Sequence, residues 1–167
     1  MSAYEVQKRI AGLYFEQTGD PDKAVDAYRK LLSMSPETLE GDQFQFRLGQ
    51  SHFRANEFEK SREAYQALLE KFPKSHLAPR ARFEIGNSYY MEGKYEVGLE
   101  ALNQVVRHHP QSEYSVEALF LAAQTLEHLG RFDQAGQTYE SILGRYQPKQ
   151  VVEMRLRGIA KRLKKAK

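Results

Sequence analysis

The sequence has no cysteine, and no apolar run in it approaches the ~20 residues that a membrane-spanning helix needs. Without cysteine the chain forms no disulfide and offers no thiolate to a zinc finger or an iron–sulfur cluster. Its first residues include Glu5, Lys8 and Arg9, where a secretory signal would need an apolar stretch. We therefore expect a cytoplasmic protein, or an exported one if a leader precedes these residues in the natural chain.

Sequence signals of catalysis are missing as well. There is no HExxH or similar metal-binding spacing, and the glycines follow a regular step instead of forming a phosphate-binding loop. His108 and His109 are adjacent, so their rings cannot face one site on a helix, and they suit a helix C-terminus before Pro110. We therefore predict no enzyme activity, no catalytic residue, no metal site and no cofactor.

Charge is distributed unevenly along the chain. Residues 153–167 contain seven lysines or arginines and one glutamate, whereas the rest of the chain has 18 basic and 21 acidic residues. A basic tail can bind nucleic acid or an anionic membrane. This tail also has an apolar stripe at helical spacing, which favours a capping helix with a solvated basic face. The stripe consists of Val152, Leu156, Ile159 and Leu163.

A step of 37 residues recurs throughout the sequence, in several independent series of similar residues. Each series has a physical role in a repeated helix pair: close helix approach, filling of the gap beneath a helix crossing, a left-handed helix stop, or helix termination by proline. The series are Gly12, Gly49, Gly86 and Ala123; Ala24, Ser61, Gly98 and Ala135; Tyr28, Tyr65, Leu102 and Tyr139; Pro21, Phe58, Tyr95 and Phe132; Gly19, Asn56, Gly93 and Gly130; and Pro36, Pro73 and Pro110, with Pro148 one residue late.

The pattern predicts four helix pairs, each with a first helix A and a second helix B, followed by a ninth helix. Asp20 before Pro21 predicts an N-cap followed by a proline in the first helical position. The predicted A helices span residues 3–17, 41–55, 77–92 and 114–129; the B helices span 21–34, 58–71, 95–108 and 132–146; and the ninth helix begins near Pro148.

These repeats resemble the tetratricopeptide repeat, with small residues at its eighth and twentieth positions, an aromatic near the twenty-fourth and proline near the thirty-second. The resemblance implies an all-α, right-handed α-solenoid that binds proteins. Its repeats would cover residues 4–37, 41–74, 78–111 and 115–148, and 149–167 would form the capping helix. The 37-residue step exceeds the common 34, and the longer link is similar to repeats of bacterial cell-envelope proteins, such as the lipoprotein of the outer-membrane protein assembly machine and the periplasmic partner of the Tol–Pal system.

The resemblance also implies that the A helices line a concave groove, where a peptide or a segment of a partner protein would bind. Side-chain amides recur at one groove position and could pair with the backbone of an extended peptide, although solubility alone could also explain them. Aromatic and charged residues recur nearby. The predicted contact residues are Gln50, Phe53, Arg54, Asn87, Tyr90, Met91, Gln124, Glu127 and His128.

Three further interpretations concern the same helices. Phe46, Phe83 and Phe120 could form apolar sockets for a partner, but packing between A helices is the favoured interpretation. The clamp that some family members use for a peptide carboxylate is not supported, because Glu84 stands where a cation is expected. Self-association through an uncapped first repeat is a third interpretation, with the apolar residues Val6, Ile10 and Leu13 in contact.

Overall fold

The computed structural model describes residues 1–35 and 39–165, and all regular secondary structure in these ranges is helical. The prediction of an all-α chain is therefore confirmed. A π-helical turn, Tyr14–Thr18, directly continues the first helix. The α-helices are α1 (Ala3–Leu13), α2 (Pro21–Met34), α3 (Gly41–Arg54), α4 (Phe58–Lys71), α5 (Ala78–Met91), α6 (Tyr95–His108), α7 (Glu113–His128), α8 (Phe132–Ile142) and α9 (Lys149–Lys165).

The helices form two compact units, Met1–Ala81 (unit 1) and Arg82–Lys167 (unit 2). Helices that are neighbours in sequence pack together in both units: α1 with α2, α2 with α3 and α3 with α4 in unit 1, and α6 with α7, α7 with α8 and α8 with α9 in unit 2. The A helices are α1, α3, α5 and α7, and the B helices are α2, α4, α6 and α8. None of the described helices is long and apolar enough to cross a membrane.

Each A helix is followed by a residue with a left-handed backbone. The φ angles are 63° at Gly19, 59° at Asn56, 74° at Gly93 and 72° at Gly130. The left-handed conformation stops the helix and reverses the chain, which allows the B helix to begin two residues later. The predicted helix stops are therefore confirmed, and Asn56 holds the position without glycine because asparagine tolerates this region.

The small residues of the A helices allow close contact with the B helix of the same repeat. A Cβ atom added to Gly49 would lie 2.6 Å from the Tyr65 ring, and one added to Gly86 would lie 2.7 Å from Leu102 Cδ2. Ser61 Oγ also donates a hydrogen bond of 2.9 Å to the carbonyl oxygen of Gly49. The predicted close approach is thus confirmed for these two repeats.

In the first repeat the close contact between helices A and B is not made at Gly12, so the prediction that Gly12 is the small residue at this contact is wrong. A Cβ atom added to Gly12 would meet no atom within 4 Å, whereas Ala11 is completely buried. Gly19 is eight positions after Ala11, but Asn56 is seven positions after Gly49. The π-helical turn Tyr14–Thr18 lies in this interval and accommodates the extra residue, so Ala11 takes the position that glycine has in the next repeats.

The end of α8 also differs from the sequence prediction. We expected a helix to residue 146, but α8 ends at Ile142 and turns follow. The Tyr146 ring stacks on Phe120 with 4.2 Å between ring centroids, a contact made from the turn. Pro148 therefore precedes α9 instead of ending α8, while Pro36 lies outside the described residues.

Helix α9 packs its predicted apolar stripe on α8. Val152 is completely buried and Ile159 is nearly so, in a cluster that also contains Tyr139 and Ile142. Leu156 and Leu163 are partly buried against the same cluster. The apolar stripe therefore packs in the core of unit 2, as expected of a capping helix.

Candidate functional site

Predicted contact residues of unit 1 are occupied by contacts within that unit. The guanidinium groups of Arg47 and Arg54 lie over the Phe15 ring, 4.5 and 3.9 Å from its centroid. Arg54 Nη1 also donates a 2.8 Å hydrogen bond to the Phe15 carbonyl oxygen. Gln50 Oε1 accepts a 3.2 Å hydrogen bond from Arg47. These contacts join α3 to the π-helical turn, which gives Arg54 a structural role.

Phe53, the remaining predicted contact residue of unit 1, also has an intramolecular partner. Its ring meets the edge of Phe58 at 5.3 Å between centroids, across the turn from α3 to α4. Phe53 is nevertheless only partly buried, so part of its ring stays on the surface. Among the predicted contact residues of unit 1, Arg54 is exposed, whereas Phe53 and Gln50 are both partly buried.

Three rings form a compact cluster in unit 2. The rings of Tyr95 and His128 are stacked, with centroids 4.6 Å apart and planes 8° apart. Tyr90 meets the edge of both rings, and its hydroxyl forms a 3.1 Å hydrogen bond with His128 Nε2. Partial burial raises the pKa of Tyr90, which further favours the protonated form of its hydroxyl. This cluster joins α5, α6 and α7 and fixes the His128 ring.

Glu127 lies next to this aromatic cluster and holds two further helices. Glu127 Oε1 accepts a 2.8 Å hydrogen bond from the Tyr139 hydroxyl of α8 and lies 3.8 Å from Arg155 Nη1 of α9. Burial, together with the hydrogen bond to the carboxylate, raises the pKa of Tyr139. The Tyr139 hydroxyl therefore remains a donor and holds Glu127 in one orientation.

These side chains surround a cavity of about 200 Å³. It is formed by the last turns of α5 and α7 and by one face of α9. Four of its lining residues were predicted from the sequence as contact residues, whereas the two arginines from α9 were not. Arg155 and Arg162 are seven residues apart and each directly precedes a leucine of the apolar stripe, a spacing that places them on one side of the helix. The lining residues are Tyr90, Gln124, Glu127, His128, Arg155 and Arg162.

Two other predicted residues of unit 2 do not line the cavity. Asn87 lies one turn before Tyr90, and its Nδ2 donates a 3.2 Å hydrogen bond to Glu84 Oε2. Met91 is 55% exposed, which is a large apolar exposure for this chain. The cavity therefore brings together four of the nine predicted contact residues, while Asn87 and Met91 belong to α5 but do not line it.

The three phenylalanines at repeat spacing pack inside their units. Phe46 is 3% exposed and contacts Tyr65, with 5.3 Å between ring centroids. Phe120 lies between other rings in the cluster that α9 covers. Phe83 contacts Tyr114 at 6.0 Å. The favoured interpretation, packing between A helices, holds for the ring contact of Phe83 with α7. The ring contacts of Phe46 and Phe120 are instead with Tyr65 of α4 and Tyr139 of α8, so these rings also pack within the fold and do not form a row of sockets.

Two remaining sequence interpretations can be placed in the structure. In the described part of the chain, no group of three histidine, aspartate or glutamate side chains could hold a metal ion. Val6 and Leu13 are 42% and 40% exposed, whereas Ile10 packs partly against the core of unit 1. Self-association through these residues stays a prediction.

Comparisons with known proteins agree with the helix-pair architecture. A family model described as "Tetratricopeptide repeat" matches residues 11–76 and 83–149. No curated protein sequence matches the chain significantly. A solved tetratricopeptide repeat protein from Parabacteroides merdae is similar to it, with 17% identity, a TM-score of 0.75, and coverage of 95% of this chain and 60% of that one.

Two other solved structures share the fold. MamA MSR-1 has 17% identity and a TM-score of 0.67, with coverage of 97% of this chain and 88% of that one. The apo form of RapI has 14% identity and a TM-score of 0.80, with coverage of 98% and 65%. At these identities the likeness concerns the fold alone. The chain spans less than two thirds of the length of RapI and of the Parabacteroides merdae protein.

Proposed function

Because this chain belongs to the tetratricopeptide repeat family, whose members generally bind proteins and are typically non-catalytic, we propose that it is a non-catalytic scaffold. Its A helices would bind a peptide or an extended segment of a partner protein. The observation that carries the proposal is the cavity between α5, α7 and α9, where predicted contact residues from two A helices converge. No small-molecule substrate is part of this function.

The chemistry of the A-helix surface in unit 2 supports a peptide ligand. The amide of Gln124 offers a donor and an acceptor, as a peptide backbone requires, and Asn87 offers the same groups one repeat earlier. Tyr90 adds a ring beside them, and exposed Met91 adds a flexible apolar side chain that adapts to different partners. A surface with both amides and apolar groups suits an extended segment better than a single compact ligand.

The proposal predicts that Asn87→Ala combined with Gln124→Ala weakens binding of a partner peptide by roughly tenfold, since about 0.5–1.5 kcal/mol is lost for each hydrogen bond. Peptides would be selected from a displayed random library on the wild-type protein, and their affinities measured by fluorescence anisotropy. Helicity, followed by circular dichroism, should not change.

The B helices provide a matched control. Gln104 on α6 donates a 2.9 Å hydrogen bond to Glu100, much as Asn87 does to Glu84, and Gln137 lies on α8. The double variant Gln104→Ala with Gln137→Ala makes the same chemical change on the opposite helices, and it should bind the selected peptides normally. Equal affinity of both double variants would remove the A-helix surface as the binding site.

The basic tail was the alternative binding site for nucleic acid or an anionic membrane. Burial of Val152 and Ile159 against α8 leaves α9 without a free apolar face to insert between lipids. The basic residues that remain exposed are typical of the solvated face of a capping helix. The scaffold function is therefore the better-supported proposal.

The cellular setting that we propose is the bacterial cell envelope. It is supported by the 37-residue step and the longer link before each A helix, the features that resemble envelope proteins. Fractionation of the natural organism, followed by immunoblotting with an antibody to this chain, should place it in the envelope fraction. Exclusive recovery from the cytoplasm would reject this setting but would leave peptide binding untouched.

A further inference from the structure

We propose that the cavity between α5, α7 and α9 binds a carboxylate of the partner segment, with Arg155 and Arg162 of the capping helix as the donors. The inference rests on the proposed scaffold function and adds the chemistry of its ligand. It also gives α9 a second role, since the helix that covers the core of unit 2 would also present two cations to the A-helix surface.

Arg155 forms a long ion pair with Glu127 but no hydrogen bond to it. Its Nη1 lies 3.8 Å from Glu127 Oε1, which is beyond hydrogen-bond distance, and that oxygen already accepts a 2.8 Å hydrogen bond from Tyr139. Within residues 1–35 and 39–165, Arg155 Nε has no hydrogen-bond partner, although it is shielded from solvent. The Arg155 side chain is 40% exposed, so its guanidinium can donate to a further acceptor, and a carboxylate is the acceptor that matches its geometry.

Arg162 adds the second cation. Its guanidinium lies 5.2 Å from the centroid of the Phe132 ring, and it lines the same cavity as Arg155. The lining residues include two arginines and one glutamate, so their formal charges sum to one net positive charge. One surplus charge is balanced by a single carboxylate, whereas a phosphate dianion would leave the cavity with a net negative charge.

The size and rigidity of the cavity also favour one carboxylate group. Its volume of about 200 Å³ is below the ~300–1,000 Å³ of a typical small-molecule site, so it suits one side chain or one chain end. The His128 ring is held by stacking on Tyr95 and by its hydrogen bond with Tyr90. Preformed walls lower the entropic cost of binding a charged group there.

The experiment uses peptides selected on the wild-type protein from the random library. Each peptide would be resynthesised with its aspartates and glutamates changed to asparagine and glutamine, and separately with an amidated C-terminus. We expect one of the two changes to lower affinity by roughly tenfold or more, as expected when a charged hydrogen-bond partner is removed. A loss on amidation identifies the C-terminal carboxylate, and a loss on side-chain replacement identifies an acidic side chain.

Protein variants test the donors. Arg155→Gln with Arg162→Gln should cause a similar loss for the carboxylate peptide and little change for its neutral form. Because Arg162 contacts Phe132, the single variant Arg155→Gln serves as a second test that leaves this packing intact. Arg157→Gln is the control, since it removes the same charge from α9 at a position outside this cavity.

Two outcomes would overturn the inference, and they are distinguishable from each other. If the selected peptides lose affinity in the Asn87/Gln124 variant but not in the arginine variants, or if they show no preference for a carboxylate, the scaffold function stands and the carboxylate site is wrong. If the library yields no peptide that depends on the A-helix surface, both proposals fail.

Discussion

Gly86→Val is expected to lower the free energy of unfolding by about 3 kcal/mol, because it forces extra atoms into a closed helix contact. A Cβ atom at this position would lie 2.7 Å from Leu102 Cδ2 and 3.2 Å from the Leu102 backbone nitrogen. Leu102 is completely buried, so its side chain has no free space to occupy. The helices α5 and α6 would have to separate. Equilibrium unfolding in guanidinium chloride measures the loss.

Gly12→Val is the matched control, because Gly12 is also a helical glycine in the repeated small-residue series. A Cβ atom there would meet nothing within 4 Å. Valine has a slightly better helix propensity than glycine, so the stability should change by less than ~0.5 kcal/mol and in the stabilising direction. If Gly12→Val and Gly86→Val destabilised the protein equally, then Gly12 and not Ala11 would occupy the close-contact position of the first repeat, and the shift attributed to the π-helical turn would be wrong.

Val152→Asp is expected to destabilise unit 2 by about 4 kcal/mol or more, the second large effect. Val152 is completely buried in the cluster between α8 and α9, where a carboxylate would lose its hydration without gaining a partner. Because α9 presents Arg155 to the cavity, its displacement should also abolish binding of the carboxylate peptide. Thermal unfolding followed by circular dichroism measures the first effect, and fluorescence anisotropy measures the second.

Met154→Asp is the control for this substitution. It introduces the same carboxylate two residues away on α9, but Met154 is 57% exposed and the new charge stays hydrated. The expected change in stability is below ~1 kcal/mol, and peptide binding should persist. If the Val152→Asp protein were as stable as the Met154→Asp protein, the packing of α9 on α8 would be contradicted. The basic tail would then again be a candidate site for binding nucleic acid or an anionic membrane.

Features of the fold that depend on local chemistry were predictable from the residues. The stops at Gly19, Asn56, Gly93 and Gly130 follow from the tolerance of glycine and asparagine for positive φ, which needs no knowledge of the rest of the chain. The buried position of Tyr65 follows from the repeat, since the same helix crossing recurs every 37 residues. Periodicity converts such local preferences into a predictable set of helix pairs.

The errors in the fold prediction arose where the period is broken. Counting in steps of 37 aligned Gly12 with Gly49, but the π-helical turn adds a residue and moves Ala11 into contact instead. Periodicity likewise carried the last B helix beyond Ile142, although stacking of Tyr146 on Phe120 takes place in a turn. Both departures are local changes in backbone geometry, which a repeat pattern does not contain.

The repeat pattern predicted only some of the residues that line the cavity. Tyr90, Gln124 and His128 recur on A helices, so the repeat pointed to their surface. Arg155 and Arg162 belong to a basic tail in which neighbouring residues also carry positive charge, and composition cannot separate those that face the cavity from those that face solvent.

Helix identity, helix stops and family thus follow from the residues, because each depends on neighbours within one repeat. The cavity and its charge do not, because they depend on how α9 is rotated when Val152 and Ile159 pack on α8. That rotation places Arg155 and Arg162 in the lining of the cavity, whereas Arg157, another cation of α9, lies outside it. The partners of a surface charge are set by contacts between helices distant in sequence, which become definite only when the chain is folded.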